Sequence, residues 1–93
     1  MAMKASASHI LVKTEGEAYI ILKQLREGSR FEKLAEEKSL CPSRKKGGDL
    51  GWFARGQMVK EFETAVFSGK KGQILGPVKT QFGYHIIRIN DLA

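Results

Sequence analysis

The chain has 93 residues, 42% of them hydrophobic and 28% charged, enough for one compact core but not two, and unlike a disordered or collagen-like chain. Sixteen Lys and Arg against ten Asp and Glu give a net charge of +6, which favours acidic partners such as nucleic acid, yet the cations are scattered and the run Arg44-Lys45-Lys46 is shorter than a basic tail. One cysteine, Cys41, excludes an internal disulfide; no stretch nears the roughly 18 apolar residues of a membrane span, and the N-terminal apolar run is too short for a signal-peptide core, so a cytoplasmic setting is expected.

Alternation marks the first strand: in SHILV, Ile10 and Val12 share one face, His9 and Leu11 the other. Thr14 with Glu17 three residues on forms a capping box, each side chain serving a backbone amide that a helix start leaves open. Ala18, Ile21, Leu22 and Leu25 follow at helical spacing until Gly28, which can take the left-handed conformation, so a helix is expected over about 15–27. The pattern repeats, with Ser29 and Glu32 as a second capping box and Phe31, Leu34 and Ala35 as the buried face of a shorter helix. CPSRKKGG is a loop with room for a short helical turn at 42–46, since proline is tolerated in a first turn.

DLGWF reads as a short strand whose Gly51 marks a bulge or a close backbone approach. After a turn at RGQM, Val59, Phe62, Ala65 and Val66 share the face of a third helix that Gly69 closes. QILGPVKT and YHIIRIND are two strands joined through QFG as a hairpin. No repeat or linker interrupts the chain. The order β-α-α-α-β-α-β-β predicts an α+β fold, with helices packed on an antiparallel sheet, as one domain over residues 1–93.

His9 and His85 both stand on strand faces that should be buried. Taken singly, each reads as a hydrogen-bonded core residue; on neighbouring strands the two imidazoles can lie opposite each other and share a proton in a network that Thr80 extends. Two histidines and one cysteine without local spacing do not make a zinc site. Cys41 precedes a proline and a basic loop that would favour a nucleophilic thiol, though neither a resolving cysteine nor triad spacing accompanies it. Met58 and Phe62, four apart, can line one side of a pocket or simply enter the core.

Taken together and in order, SHILVK, CPS, GGDLGWF, GQMV, Phe62 and GPVKTQFGYHII resemble the parvulin family of peptidyl-prolyl isomerases over nearly the whole chain, and the small free-standing bacterial members most of all. The resemblance implies a four-stranded antiparallel sheet with about four surrounding helices and an apolar cleft that seats a substrate proline. It maps Leu50, Met58 and Phe62 to the proline pocket and Phe82 to the aromatic beside it. His9 and His85 match the paired histidines, Thr80 their hydrogen-bonding partner, and Cys41 a cleft position that members fill with cysteine or aspartate.

The activity implied is non-covalent rotation of Xaa-Pro bonds in unfolded or flexible polypeptide segments, with no cofactor, metal or oligomer called for. Phosphate-directed members carry an arginine-rich loop after the first strand. Here KTEGEA places Lys13 alone beside Glu15 and Glu17, so no phosphoserine preference is expected. Two alternatives are a catalytically idle chaperone module that uses the same cleft and a basic nucleic-acid-binding domain.

Overall fold

A computed structural model describes residues 2–93. The elements are β1 (Lys4–Val12), α1 (Glu15–Arg26), α2 (Phe31–Lys38), a 3₁₀ turn (Pro42–Lys46), β2 (Asp49–Ala54), α3 (Lys60–Ser68), β3 (Ile74–Thr80) and β4 (Gly83–Leu92). The four strands form one antiparallel sheet in the order β2-β1-β4-β3. This is the α+β arrangement expected, with three α-helices and the 3₁₀ turn around the sheet.

Strand alternation gives each face of the sheet its own core. Ile10, Val12 and Ile86 point to α1 and α2 and pack with Ala18, Ile21, Leu22, Phe31, Leu34 and Ala35. Ala5, Ala7, Ile87 and Ile89 point the other way and pack with Phe53 and with Phe62 and Val66 of α3. No helix among the described residues is long and apolar enough to cross a membrane.

The helix ends differ from expectation in instructive ways. Thr14 caps α1, its hydroxyl accepting from the Glu17 N–H at 3.2 Å; the Glu17 carboxylate, however, accepts from that same hydroxyl at 2.9 Å rather than reaching back to the Thr14 amide. The second capping box does not form. Arg30 takes the N-cap of α2 with no side-chain cap, because the Ser29 N–H closes the preceding helix on the Gln24 carbonyl at 3.0 Å and the Glu32 carboxylate pairs with Arg88 at 3.0 Å. Gly69 ends α3 in extended rather than left-handed backbone, and is needed instead because a Cβ there would run into Ile89. Between β3 and β4 only Gln81 and Phe82 remain as loop, Gly83 having joined the strand.

At Gly51 the strand bulges: Ser6 pairs with Trp52 and Ser8 with Asp49, so three steps on β2 match two on β1. Its φ of +72° and open surroundings identify a conformational requirement, not a close approach. Pairing with β2 stops at Ser8, and β1 continues alone on that edge. The edge is finished by the connecting segment. The His9 N–H donates to the Gly48 carbonyl at 2.9 Å, the Leu11 N–H to Ser39 Oγ at 3.1 Å, and the Leu11 carbonyl accepts from the Leu40 N–H at 2.8 Å.

Gly48 therefore lies against β1 with φ +88°, and a Cβ there would stand 2.5 Å from the His9 carbonyl oxygen. Gly48→Ala should cost more than about 3 kcal/mol, combining left-handed strain with a backbone clash, while Gly51→Ala should cost about 1–2 kcal/mol from strain alone. Urea unfolding of the two variants checks this, and equal costs would refute the close approach at Gly48.

Candidate active site

Seven of the eight residues singled out from the sequence line one cleft of about 480 Å³ on the α3 side of the sheet. His9 comes from β1, Cys41 from the segment that finishes the β1 edge, and Leu50 from the bulge of β2. Met58 precedes α3 and Phe62 lies within it. Phe82 stands at the tip of the β3–β4 hairpin, 60% exposed, and His85 follows on β4. The eighth, Thr80, sits behind the cleft wall with its Oγ1 2.7 Å from His85 Nε2. The lining contains no Asp, Glu, Lys or Arg.

The two histidines meet across the β1–β4 pair, but diagonally. His9 is registered with Ile87 and His85 with Leu11, so the rings span one step of the ladder and still approach to 2.9 Å between their Nδ1 atoms. They lie nearly parallel, 5.1 Å between centroids and 21° between planes. Phe62 presents edge contacts to both, at 5.6 and 5.5 Å between centroids, and thereby fixes the rings from the α3 side.

Both imidazoles are buried, at 5% exposure for His9 and 3% for His85. Burial, reinforced by the neighbouring His85, lowers the His9 pKa to about 4, and burial also pushes His85 down from the ordinary histidine value. At neutral pH both rings are uncharged, and a single proton lies between the two Nδ1 atoms.

Counting donors assigns the tautomers. Thr80 Oγ1 already accepts from the Phe82 N–H at 3.1 Å, leaving its own O–H to donate to His85 Nε2. His85 then carries its proton on Nδ1 and donates to His9 Nδ1, so His9 is protonated on Nε2. The reverse assignment would strand both the Thr80 hydroxyl proton and the His9 Nε2 lone pair. The assignment made strands only one group, the His9 Nε2–H, which is buried without a partner among the described residues in a ring that lines the cleft.

Three further residues shape the site and were not singled out from the sequence. Ser39 is 1% exposed, and its hydroxyl accepts both the Leu11 and Cys41 N–H groups, at 3.1 and 3.3 Å, fixing the segment that carries Cys41 onto β1. A lone serine after a helix gives no pattern that would reveal this. Gln57 closes the turn before α3 by accepting the Ala54 N–H at 2.7 Å and also lines the cleft, and Pro42 lines it beside Cys41. The Cys41 thiol makes no hydrogen bond to either histidine among the described residues.

A family model described as rotamase, PPIC-type PPIase domain, matches residues 4–91. The chain belongs to the PPIC-type peptidyl-prolyl isomerase family. The foldase protein PrsA of Exiguobacterium sibiricum is 54% identical over 91 residues, covering 96% of this chain and 30% of that protein, so the chain spans about a third of such foldase relatives. A crystal structure of the peptidylprolyl isomerase PrsA from Bacillus anthracis superimposes with a TM-score of 0.96 at 47% identity, over 99% of this chain and 43% of that one. The parvulin NmPin of Nitrosopumilus maritimus matches with a TM-score of 0.85 at 46% identity, over 96% of this chain and 97% of that one. The PPIC-type fold thus accounts for the sheet order and the helices around it.

Because the folded state holds both rings neutral, the unfolded chain binds more protons below the ordinary histidine value of 6.5. Stability is therefore complete above pH 6.5 and falls as pH descends toward about 4 for His9, at a slope of about 1.4 kcal/mol per pH unit from that ring alone. Urea midpoints measured between pH 7 and 5, above most carboxylate titration, should show the decline. A flat profile over that window would contradict a neutral buried pair.

Proposed function

We propose that residues 1–93 act as one peptidyl-prolyl isomerase domain, accelerating rotation about Xaa-Pro bonds in flexible polypeptide segments without a covalent intermediate. The observation that carries this reading is an uncharged cleft in which Leu50, Met58 and Phe62 offer an apolar seat beside a neutral, hydrogen-bonded histidine pair. Amide resonance sets a barrier of roughly 18–20 kcal/mol, and an Xaa-Pro bond turns over unaided in tens of seconds. Reaching milliseconds takes about 10⁴-fold, or roughly 5.5 kcal/mol of preferential transition-state binding.

Two features of the site bind a twisted amide better than a planar one. Resonance places charge on the carbonyl oxygen and the nitrogen, so an apolar seat stabilises the planar, more polar form less than water does. Twisting also releases the prolyl nitrogen lone pair, which then accepts a hydrogen bond, so a neutral, polar histidine pair beside the apolar seat suits the twisted form. In this reading Phe62 packs against the Thr80–His85–His9 chain and keeps it rigid, and Phe82 flanks the bound segment. Cys41 acts as a polar neighbour of the substrate and not as a nucleophile, since no described base contacts its thiol.

The same reading takes proline-containing polypeptides as the partners and a monomer in the cytoplasm as the setting, supported by the single free cysteine and the mixed surface charge. Nucleic acid is left as a secondary partner of the basic surface.

The test is NMR exchange spectroscopy on an unphosphorylated Ala-Leu-Pro peptide with catalytic amounts of protein. Accelerated cis–trans interchange is expected. Peptide shifts on titration without acceleration would replace the isomerase reading by an idle chaperone cleft. Met58→Ala should lower kcat/KM by about tenfold through loss of the apolar seat. Cys41→Asp should retain at least about a tenth of the activity, and complete loss in a folded Cys41→Asp protein would point to covalent catalysis.

A further inference from the structure

With no charged side chain in its walls, the cleft sorts substrates by shape and hydrophobicity alone. Charge enters at one end. Cys41 and Pro42 line the cleft, and Pro42 opens the 3₁₀ turn whose remaining positions include Arg44, Lys45 and Lys46, all exposed. Such a turn rises about 2 Å per residue, so the cations stand roughly 4–8 Å along it from a cleft-lining residue.

The turn is held in place. The Gly47 and Gly48 N–H groups donate to the Arg44 and Ser43 carbonyls at 3.1 and 2.9 Å, and the Gly48 carbonyl is tied to His9. Among the described residues none of the three cations joins an ion pair. The ion pairs among the described residues join Lys71 to Asp91 and Arg88 to Glu32. Asp49, the carboxylate nearest along the chain, is turned back to accept the Gly51 N–H at 2.9 Å.

We infer that Arg44, Lys45 and Lys46 form an anion-reading flank that favours Xaa-Pro segments carrying Asp or Glu a few residues to one side of the proline. The inference rests on the isomerase reading of the cleft and names the substrates that reading would select. A carboxylate is the matching anion: two of the three cations are lysines, which act as point charges, whereas phosphate recognition draws on clustered arginine forks. The flank lies away from the rotating bond and acts equally on planar and twisted amide, so it lowers KM and leaves kcat in place. Salt weakens it, the screening length being about 10 Å at 0.1 M.

Three peptides built on Ala-Leu-Pro test this, with Glu, Gln or Lys placed two or three residues before the Leu-Pro pair, and a second set with the same residues after it. Exchange rates and titration Kd values are read at 20 mM and 500 mM salt. On one side of the proline, kcat/KM for Glu should exceed that for Lys by about fivefold at low salt and by less than about twofold at high salt. The ratio should fall to about one in the Arg44→Gln, Lys45→Gln, Lys46→Gln protein. It should persist in a Lys4→Gln, Lys23→Gln, Arg26→Gln protein, whose equal loss of charge comes from the start of β1 and from α1, which packs on the face of the sheet away from the cleft.

An equal ratio on both sides of the proline, or equal loss in the two triple variants, would assign the effect to net charge and overturn the inference. Identical values for Glu and Lys peptides beside tight, salt-steep DNA binding lost with Arg44, Lys45 and Lys46 would assign the run to nucleic acid and likewise overturn it. If no peptide were accelerated while the Glu-over-Lys ratio survived in Kd, the isomerase reading would fail and the flank would stand.

Discussion

Beyond Ser8 the outer edge of β1 has no strand beside it, and its backbone groups are too buried to turn to water. Each unpartnered group would cost about 1–3 kcal/mol, so the chain returns along that edge and supplies Gly48, Leu40 and the Ser39 hydroxyl as partners. Much of the cleft follows from this requirement. The segment that satisfies His9 and Leu11 carries Cys41 and Pro42 to one wall, and leads through Gly48 into Leu50 at another. Its closeness to β1 leaves no room for a Cβ at Gly48, where Ala35 of α2 also presses in.

From the other direction, α2 is tied to the central strand. Arg88 pairs with Glu32, stacks over Phe31 at 4.7 Å, and donates to Asn90, which in turn reaches Ser8. Glu32 packs against Gly47, so the brace continues into the turn that holds His9. A path of contacts therefore runs from His85 along β4 to Arg88, through Glu32 and the glycine pair to His9, and back to His85 through the shared proton. Two neutral rings held from both faces of a sheet suit a reaction in which fit to a twisted amide matters more than proton transfer.

The fold was largely legible because its local signals agree with its global pattern. Apolar spacing located α1, α2 and α3, alternation located β1 and β4 and placed each histidine on a buried face, and Pro42 allowed the 3₁₀ turn. What failed were local patterns in competition with tertiary partners: Ser29 spent its amide on the preceding helix, and Glu32 its carboxylate on Arg88, so a valid capping signature went unused. Within the site, the eight residues suggested by the sequence are brought together, whereas Ser39 was invisible. Its importance comes from which strand edge it meets, and no spacing rule along the chain encodes that.

The sheet order places the first and last strands side by side at its centre, with Ala5 registered to Leu92 and Val12 to Tyr84. Within these residues β1 is made first of the four strands, and its principal neighbour, β4, comes last. Until β4 arrives, Ile10 and Val12 have no Ile86 beside them, and His9 has no His85. Neither core can close, and the cleft does not exist. Closing both cores thus waits on one late, long-range pairing, of the kind that is slow and exposed to aggregation. Until then the apolar faces of β1 lack their cross-strand partners.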